Sequence, residues 1–422
     1  MLETEVDHGE IPRSRSRLFC GPPGAGLARM FGIGASQGVA SWLHGFRTYY
    51  VHLGRIAIHR ACDLLGVGQG DEILAPAYNC GSEIDPLLCS GASVRLYRID
   101  RSANIDLNDL RGRISENTKV IYVTHYFGMP HPLAEIRSIC TDRKIYLIED
   151  CALSLFSSDR ETKLGSLGDI SIFSFPKTLP VPDGGAMVLN NSDLSENAWK
   201  KRKPSFLRLS RKILSLAKRH LLYMSSESGL LYSTLWSLLR KTRFSNSDSS
   251  ESDTSFPDVP SNFYYDARLN NSDISGITER MLRTFNPLEI VSKRRHNFGR
   301  YLELLSSREG VEPLYSELPD GVCPLHFPVF VPEREKVCKE LNALSIDATA
   351  WWSGYHRSLP WTEYPDACFL KDHLLVLPVH QDLSDKHVEL TCETLMHILL
   401  SMPASRAQNR DSVKMNSYVD AK

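Results

Sequence analysis

Ser171-Ile-Phe-Ser-Phe-Pro-Lys-Thr-Leu-Pro-Val-Pro-Asp-Gly-Gly185 opens inside a β run (Ile170 to Phe175) and closes in a paired-glycine turn. Lys177 is thereby set on a short, constrained loop just past a strand end. Open α/β sheets gather their ligands at such ends. A lysine there is a candidate for a covalent adduct with a carbonyl, because a desolvated amine has a lowered pKa and reacts as a nucleophile. Upstream, Ile145-Tyr-Leu-Ile-Glu-Asp150 is a second apolar run, and it ends in a carboxylate.

Outward from these two stretches the rhythm is regular. A helix pattern from Arg55 to Leu65 closes at Gly66 and Gly68, and Glu72 to Ala77 reads as a strand. Helix Ser82 to Cys89, strand Ser93 to Ile99, strand Lys119 to His125 and helix Pro132 to Arg143 follow, and then comes the run ending at Asp150. Strands spaced by helices of this length predict an α/β fold with a mostly parallel, doubly wound sheet. After Pro260 a long helix, Asn286 to Leu305, leads into a smaller α+β region. It comprises strand His326 to Val331, helix Glu333 to Leu344, strand Leu374 to Val379 and helix Asp385 to Leu399. The expected division is an N-terminal arm over 1–50, a large α/β domain over 51–195, a basic helical insertion and Ser-rich linker over 196–260, a linking helix with a small C-terminal domain over 261–402, and a flexible tail over 403–422.

The insertion is distinctive. Between Lys200 and Arg243 twelve basic residues face a single acid, Glu227, with leucines roughly at helical spacing. A basic amphipathic helix can lie on an anionic membrane surface. The reading favoured here is a helix packed on its own subunit with a solvated basic face. Ser245 to Ser255 reads as a linker. Near the start, Gly21-Pro-Pro-Gly-Ala-Gly26 has no preceding strand and no closing Gly-Lys-Ser/Thr, so it reads as an arm or turn and not as a phosphate cradle.

The 422 residues carry a net charge of -1, which gives no bias toward nucleic acid. Ten cysteines are scattered without a CxxC pair, a pattern of reduced, mostly buried thiols that disfavours zinc. The acidic start lacks a secretory signal's basic and apolar regions, and no apolar run approaches the roughly 20 residues of a membrane span. A cytoplasmic protein is the expectation.

A lysine and an aspartate at neighbouring strand ends are the pair that pyridoxal 5'-phosphate needs: one forms the imine, the other keeps the ring nitrogen protonated. With Leu64-Leu-Gly-Val-Gly-Gln-Gly-Asp-Glu-Ile-Leu-Ala-Pro76, Thr124-His-Tyr-Phe-Gly128, Ile148-Glu-Asp-Cys-Ala152, Gly165 to Lys177 and Asp183-Gly-Gly185 in order, the chain from about Gly54 to Leu399 resembles the DegT/StrS-type nucleotide-sugar aminotransferase family, pyridoxal-phosphate enzymes of fold type I. The stretch between Phe175 and Lys177 is shorter than in typical members. Lys177-Thr-Leu-Pro-Val-Pro-Asp-Gly-Gly185 and Pro378-Val-His-Gln-Asp-Leu383 resemble a divergent branch found among polysaccharide-synthesis proteins.

The resemblance implies that Lys177 is the Schiff-base lysine and that Asp150 bonds the ring nitrogen. It further implies that Ser174, with Gly54 and Arg55 at a helix start, receives the cofactor phosphate. His125 falls at the family's strand-end histidine, with a satisfied core histidine as the alternative. Tyr78 is the nearest aromatic that could stack on the ring, while Cys80 stands at the family's usual aromatic position. Arg268, in Asp266-Ala-Arg268, maps to an element that reaches a neighbouring subunit's cofactor phosphate; Asp266, where the family has Asn, would repel that phosphate. Leu153 replaces the family's Gln or His. The aromatic cluster Trp351-Trp-Ser-Gly-Tyr-His356 could line a sugar pocket or fill the core.

The expected function is amino transfer from a donor such as glutamate to a nucleotide-linked keto-sugar acceptor, by a homodimer with shared sites. A catalytically silent scaffold is the rival, supported by Leu153 and Asp266. A sugar dehydratase is disfavoured because related dehydratases replace the lysine with histidine.

Overall fold

The computed structural model describes residues 18–34, 38–195, 199–228 and 257–402. Seven strands form the central sheet: β1 (Arg47–Val51), β2 (Glu72–Pro76), β3 (Ser93–Tyr97), β4 (Thr118–Thr124), β5 (Tyr146–Asp150), β8 (Ile170–Ser174) and β9 (Gly185–Leu189). Their spatial order is β1-β9-β8-β5-β4-β2-β3. The run β8-β5-β4-β2-β3 is parallel, while β9 is antiparallel to both of its neighbours. The central strands are buried on both faces, as their near-continuous apolar runs require. A two-residue hairpin, β6 (Ser158–Asp159) with β7 (Thr162–Lys163), links β5 to β8.

Short helices α1 (Leu27–Met30) and α2 (Gly38–Trp42) precede the sheet. The helices α3 (Gly54–Leu64), α4 (Gly81–Leu88), α5 (Leu107–Arg113) and α6 (Leu133–Arg143) connect its strands. The α5 start is set by Asp106, whose carboxylate accepts from the amides of Asn108 and Asp109. Because β3 and β4 lie on opposite sides of β2, the chain changes direction there. The carboxyl ends of β2, β4, β5 and β8 therefore open on one edge, where a doubly wound sheet places its site.

Four further features refine the expectations. The boundary expected between residues 50 and 51 falls inside β1, whose pairing with β9 makes it a sheet member and not part of an irregular arm. Lys177 lies on a one-turn helix, α7 (Phe175–Thr178), and not on a loop, because Pro176 at its start presets helical geometry. The basic segment forms α8 (Phe206–Ser228), which buries Leu209, Leu216, Leu222 and Tyr223 against its own subunit. The expected apolar patch Leu230 to Leu239, the Ser-rich stretch and the tail lie outside the described residues.

The Gly21–Gly26 turn packs beneath α8. The Ala25 amide donates to the Leu216 carbonyl at 3.1 Å, and a Cβ on Gly24 would fall 2.2 Å from the His220 backbone nitrogen. No helix among the described residues is long and apolar enough to cross a membrane.

The C-terminal part holds α9 (Gly276–Leu282), α10 (Pro287–Leu305), α11 (Arg334–Ala343), α12 (Pro365–His373) and α13 (Asp385–Leu400). They surround an antiparallel sheet of β10 (Glu312–Pro313), β11 (His326–Phe330), β12 (Thr349–Ala350) and β13 (Leu374–Pro378). Its core of Phe298, Tyr301, Phe327 and Leu395 is separate from that of the central sheet. The two meet at Gly128, with φ +96°, where any side chain would strike the Cys323 carbonyl 2.4 Å from its Cβ. Only glycine tolerates both constraints.

Candidate active site at the strand ends

Asp150 closes β5 and is wholly buried. Tyr122 Oη donates to its Oδ2 at 2.5 Å, and the Ala152 amide donates to Oδ1 at 2.7 Å. Burial raises the carboxyl above its ordinary value; the Lys177 ammonium is the strongest opposing influence, ahead of the Tyr122 bond. Asp150 ends β5 and Lys177 follows β8, the neighbouring strand, so the two groups lie at adjacent strand ends, near enough for the ammonium to act on the carboxyl. A buried carboxylate of this kind is costly unless a cation meets it.

Lys177 is partly buried, and its Nζ lies 5.9 Å from the centre of the Trp352 ring. Trp352 holds a left-handed backbone, φ +53°, which costs free energy in a bulky residue and persists only where neighbours enforce it. The enforcing group is Lys371. Its buried ammonium donates to the carbonyls of Trp352 (3.2 Å), Gly354 (3.1 Å) and Asn79 (2.6 Å). Burial lowers that amine to about 8. One lysine therefore clamps the loop after β2 to the aromatic segment after β12.

Gly54 and Ser174 meet. A Cβ placed on Gly54 would stand 3.5 Å from Ser174 Cβ and 3.8 Å from its Oγ. The paired glycines explain the approach: a Cβ on Gly185 would lie 2.9 Å from the Gly54 nitrogen. No side chain caps the first amides of α3, so these donors remain open to an anion. Arg55 points away from Ser174, its Nη1 donating to the carbonyls of Asn262 (2.7 Å) and Tyr264 (3.1 Å).

His125 takes the core position. Its Nε2 lies 3.1 Å from Glu149 Oε1, while Nδ1 has no partner in the described structure. Burial works to raise the Glu149 carboxyl, but His125 and the amides of Gly165 and Gly168 together hold it below its ordinary value. His125, Glu149 and Cys151 bring ligand-type atoms within 4.8 Å of one another. Glu149 is already engaged by three amides, those of Gly165, Leu167 and Gly168, so it pins the 165–168 turn.

Tyr78 lies in the aromatic cluster beside the strand ends. It is fully buried between Tyr126 and Trp352, each ring centre 5.1 Å away. The aromatic ring facing Lys177 is Trp352 instead. Arg268 also stands apart from the cluster: its side chain is 90% exposed and pairs with Asp266 at 2.8 Å.

Sequence reasoning missed Glu83. This residue of α4 is buried; one oxygen accepts from the Cys80 amide at 3.3 Å and the other, Oε1, has no partner. Burial raises its carboxyl to about 8, Asp150 adds to the rise, and Lys177 opposes it. Ser82-Glu-Ile-Asp85 reads as an ordinary polar helix start, and no local signal marks its burial.

Residues 50–216 match the DegT/DnrJ/EryC1/StrS aminotransferase family. The stretch containing the Lys177, Asp150, Ser174 and Gly54 cluster is thus the stretch that carries the family likeness. The chain is 33% identical over 144 residues to the GDP-perosamine synthase of Vibrio cholerae, covering 33% of this chain and 39% of that protein. It therefore spans about two-fifths of that relative's length. A longer match, 25% identical over 359 residues and covering 82% of both chains, is to the dTDP-4-dehydro-2,3,6-trideoxy-D-glucose 4-aminotransferase of Saccharopolyspora spinosa. The fold resembles that of an aminotransferase, TlmJ, from Streptoalloteichus hindustanus, with TM-score 0.58 and 20% identity over 93% of this chain and 96% of that one.

Proposed function

We propose that the chain is a pyridoxal-phosphate-dependent aminotransferase that transfers an amino group, with glutamate as donor, to a keto-sugar linked to a nucleotide. The observation that carries this reading is the wholly buried Asp150 at the end of β5 with Lys177 just past the paired strand β8. The residues present fit the cofactor. Asp150 is a desolvated carboxylate that a protonated ring nitrogen would compensate, and the uncapped α3 start beside Ser174 offers amides and a hydroxyl to a phosphate.

Pyridoxal phosphate, when bound, supplies an electron sink for charge developing at the substrate's amine-bearing carbon. Lys177 would hold the cofactor's carbonyl carbon, and its amine would carry a proton to and from the substrate's amine-bearing carbon. Asp150 keeps the ring nitrogen charged, while Tyr122 and Ala152 fix the orientation of its two oxygens. Trp352 and the Lys371 clamp wall off one side from water. Both amino donors and keto acceptors use the one site in turn, in a homodimer whose Arg268 is exposed to meet a partner.

The test is direct. Purified protein given pyridoxal phosphate should develop visible absorbance that glutamate alters, and Lys177→Ala should develop none. Identical, cofactor-free spectra for both proteins would remove the reading, and bound cofactor that no amino donor alters would favour the silent scaffold.

A further inference from the structure

α8 has two apolar faces. Leu209, Leu216 and Tyr223 recur at seven and are buried, which seats the helix on its own subunit. Leu207, Leu214 and Leu221 also recur at seven, each two residues ahead of a buried one, and are 83%, 71% and 53% exposed. At about 100° per residue, a two-residue offset sets the second row on the face opposite the first. A helix that only packed against the body would carry polar side chains there. The outward face is therefore not the solvated basic face expected of the insertion.

Charge accompanies this row. From Phe206 to Ser225 the sequence holds Arg208, Arg211, Lys212, Lys218 and Arg219 and no acid, in a chain whose 49 bases and 50 acids otherwise balance. Arg211 and Lys218 follow Leu207 and Leu214 by four residues, so they belong to the same face of the helix. Lys201 and Lys203, ahead of α8, are by contrast tied to Asp273 and Glu279. The arm adds apolar surface. Gly26 packs so closely on α8 that its Cβ would fall 2.7 Å from His220 Nε2. The short helix α1 that follows it buries Met30 while Leu27, Phe31 and Ile33 are exposed. Exposed apolar rows of this extent mark a surface that meets something else.

The charge decides what. Two copies of α8 laid against one another would oppose five bases to five bases with no acid between them. An anionic lipid surface answers both features at once: leucines enter the headgroup boundary, and the flanking cations lie level with the lipid phosphates. We propose that the outward face of α8, with the exposed arm residues beside it, docks the protein peripherally on an anionic phospholipid bilayer. The helix lies flat, held by its buried row, and inserts only its outer leucines. The inference stands independently of the aminotransferase reading, because no residue of the strand-end cluster takes part.

Co-sedimentation of the full-length protein with phosphatidylglycerol vesicles, against phosphatidylcholine vesicles, tests this. The wild type should bind the anionic vesicles, bind the neutral ones about tenfold more weakly, and release as salt is raised. Leu214→Asp combined with Leu221→Asp should weaken binding to the anionic vesicles about tenfold or more, at unchanged melting temperature and unchanged pyridoxal-phosphate absorbance. Leu288→Asp, at a leucine 76% exposed on α10, should bind as wild type. No binding by the wild type, equal binding to both vesicles, or a double variant that binds like wild type overturns the proposal. So does a double variant with half the wild type's mass in solution, because the face is then a contact between subunits. Loss of the Lys177-dependent absorbance, by contrast, would remove the aminotransferase reading and leave vesicle binding untouched.

Discussion

Asp150 and Arg268 show how differently two regions of this molecule hold a charged side chain. The carboxylate is wholly buried at the end of a strand hydrogen-bonded on both flanks, and each of its oxygens has a fixed donor. The guanidinium is 90% exposed on a short loop and answers only to Asp266 beside it. Free energy stored in the sheet holds Asp150 in place whether or not a ligand is present. Nothing comparable fixes Arg268 within one chain. The proposed chemistry therefore draws on the rigid region.

If that division is right, substitutions on the sheet side cost catalysis without unfolding the chain. Lys177→Ala should give the largest effect, a loss of amino transfer of about 10²–10⁴-fold or more together with the visible absorbance, at unchanged melting temperature. Turnover of the variant with glutamate would break the comparison at once. Asp150→Asn keeps the shape but replaces the charge that, on the proposed reading, meets the ring nitrogen. We expect cofactor affinity to fall roughly 10–100-fold, the equivalent of one hydrogen bond to a charged partner, as read by equilibrium titration.

The rigid side was also the legible one. An apolar run ending in Glu149-Asp150 and a β run leading to Lys177 are local patterns, and strand ends on one edge follow from alternating strands and helices. The paired glycines could be read as a turn, although the reason for the second, room for Gly54 to approach, is tertiary. What escaped reading was long-range. Trp352 faces Lys177 from a segment about 175 residues later, and Lys371 is hidden in an ordinary amphipathic helix until three carbonyls surround it. Tyr78 packs between Tyr126 and Trp352, a placement that sequence alone does not give, because an aromatic near a strand end can serve packing or a ligand. The charge run of the insertion was visible, but not that Lys203 turns to Asp273 and Glu279.

Glu83 offers a finer test, because it belongs to the rigid side without an obvious role. Its carboxyl ordinarily titrates near 4.5 and is raised to about 8 by burial, reinforced by Asp150. Between those values the folded chain keeps a proton that the unfolded chain has lost. The cofactor-free protein should therefore lose stability as pH rises through that window, by at most about 1.4 kcal/mol per pH unit from this group. Glu83→Gln, isosteric and always neutral, should flatten that part of the curve and melt higher than wild type at pH 8. Parallel melting-temperature profiles for the two proteins from pH 5 to 8 would show that Glu83 stays ionised.

The smallest effect is expected at Arg268, and its smallness is informative. Arg268→Ala removes a solvent-exposed pair with Asp266, and screened pairs of this kind contribute little to folding. The melting temperature of the cofactor-free chain should not move. If the exposed guanidinium instead serves a neighbouring subunit, the variant should bind pyridoxal phosphate more weakly while binding pyridoxal as before. Asp266→Asn, which releases the arginine from its local partner, should then strengthen the same interaction. A variant pair with unchanged cofactor affinity would confine Arg268 to its own loop.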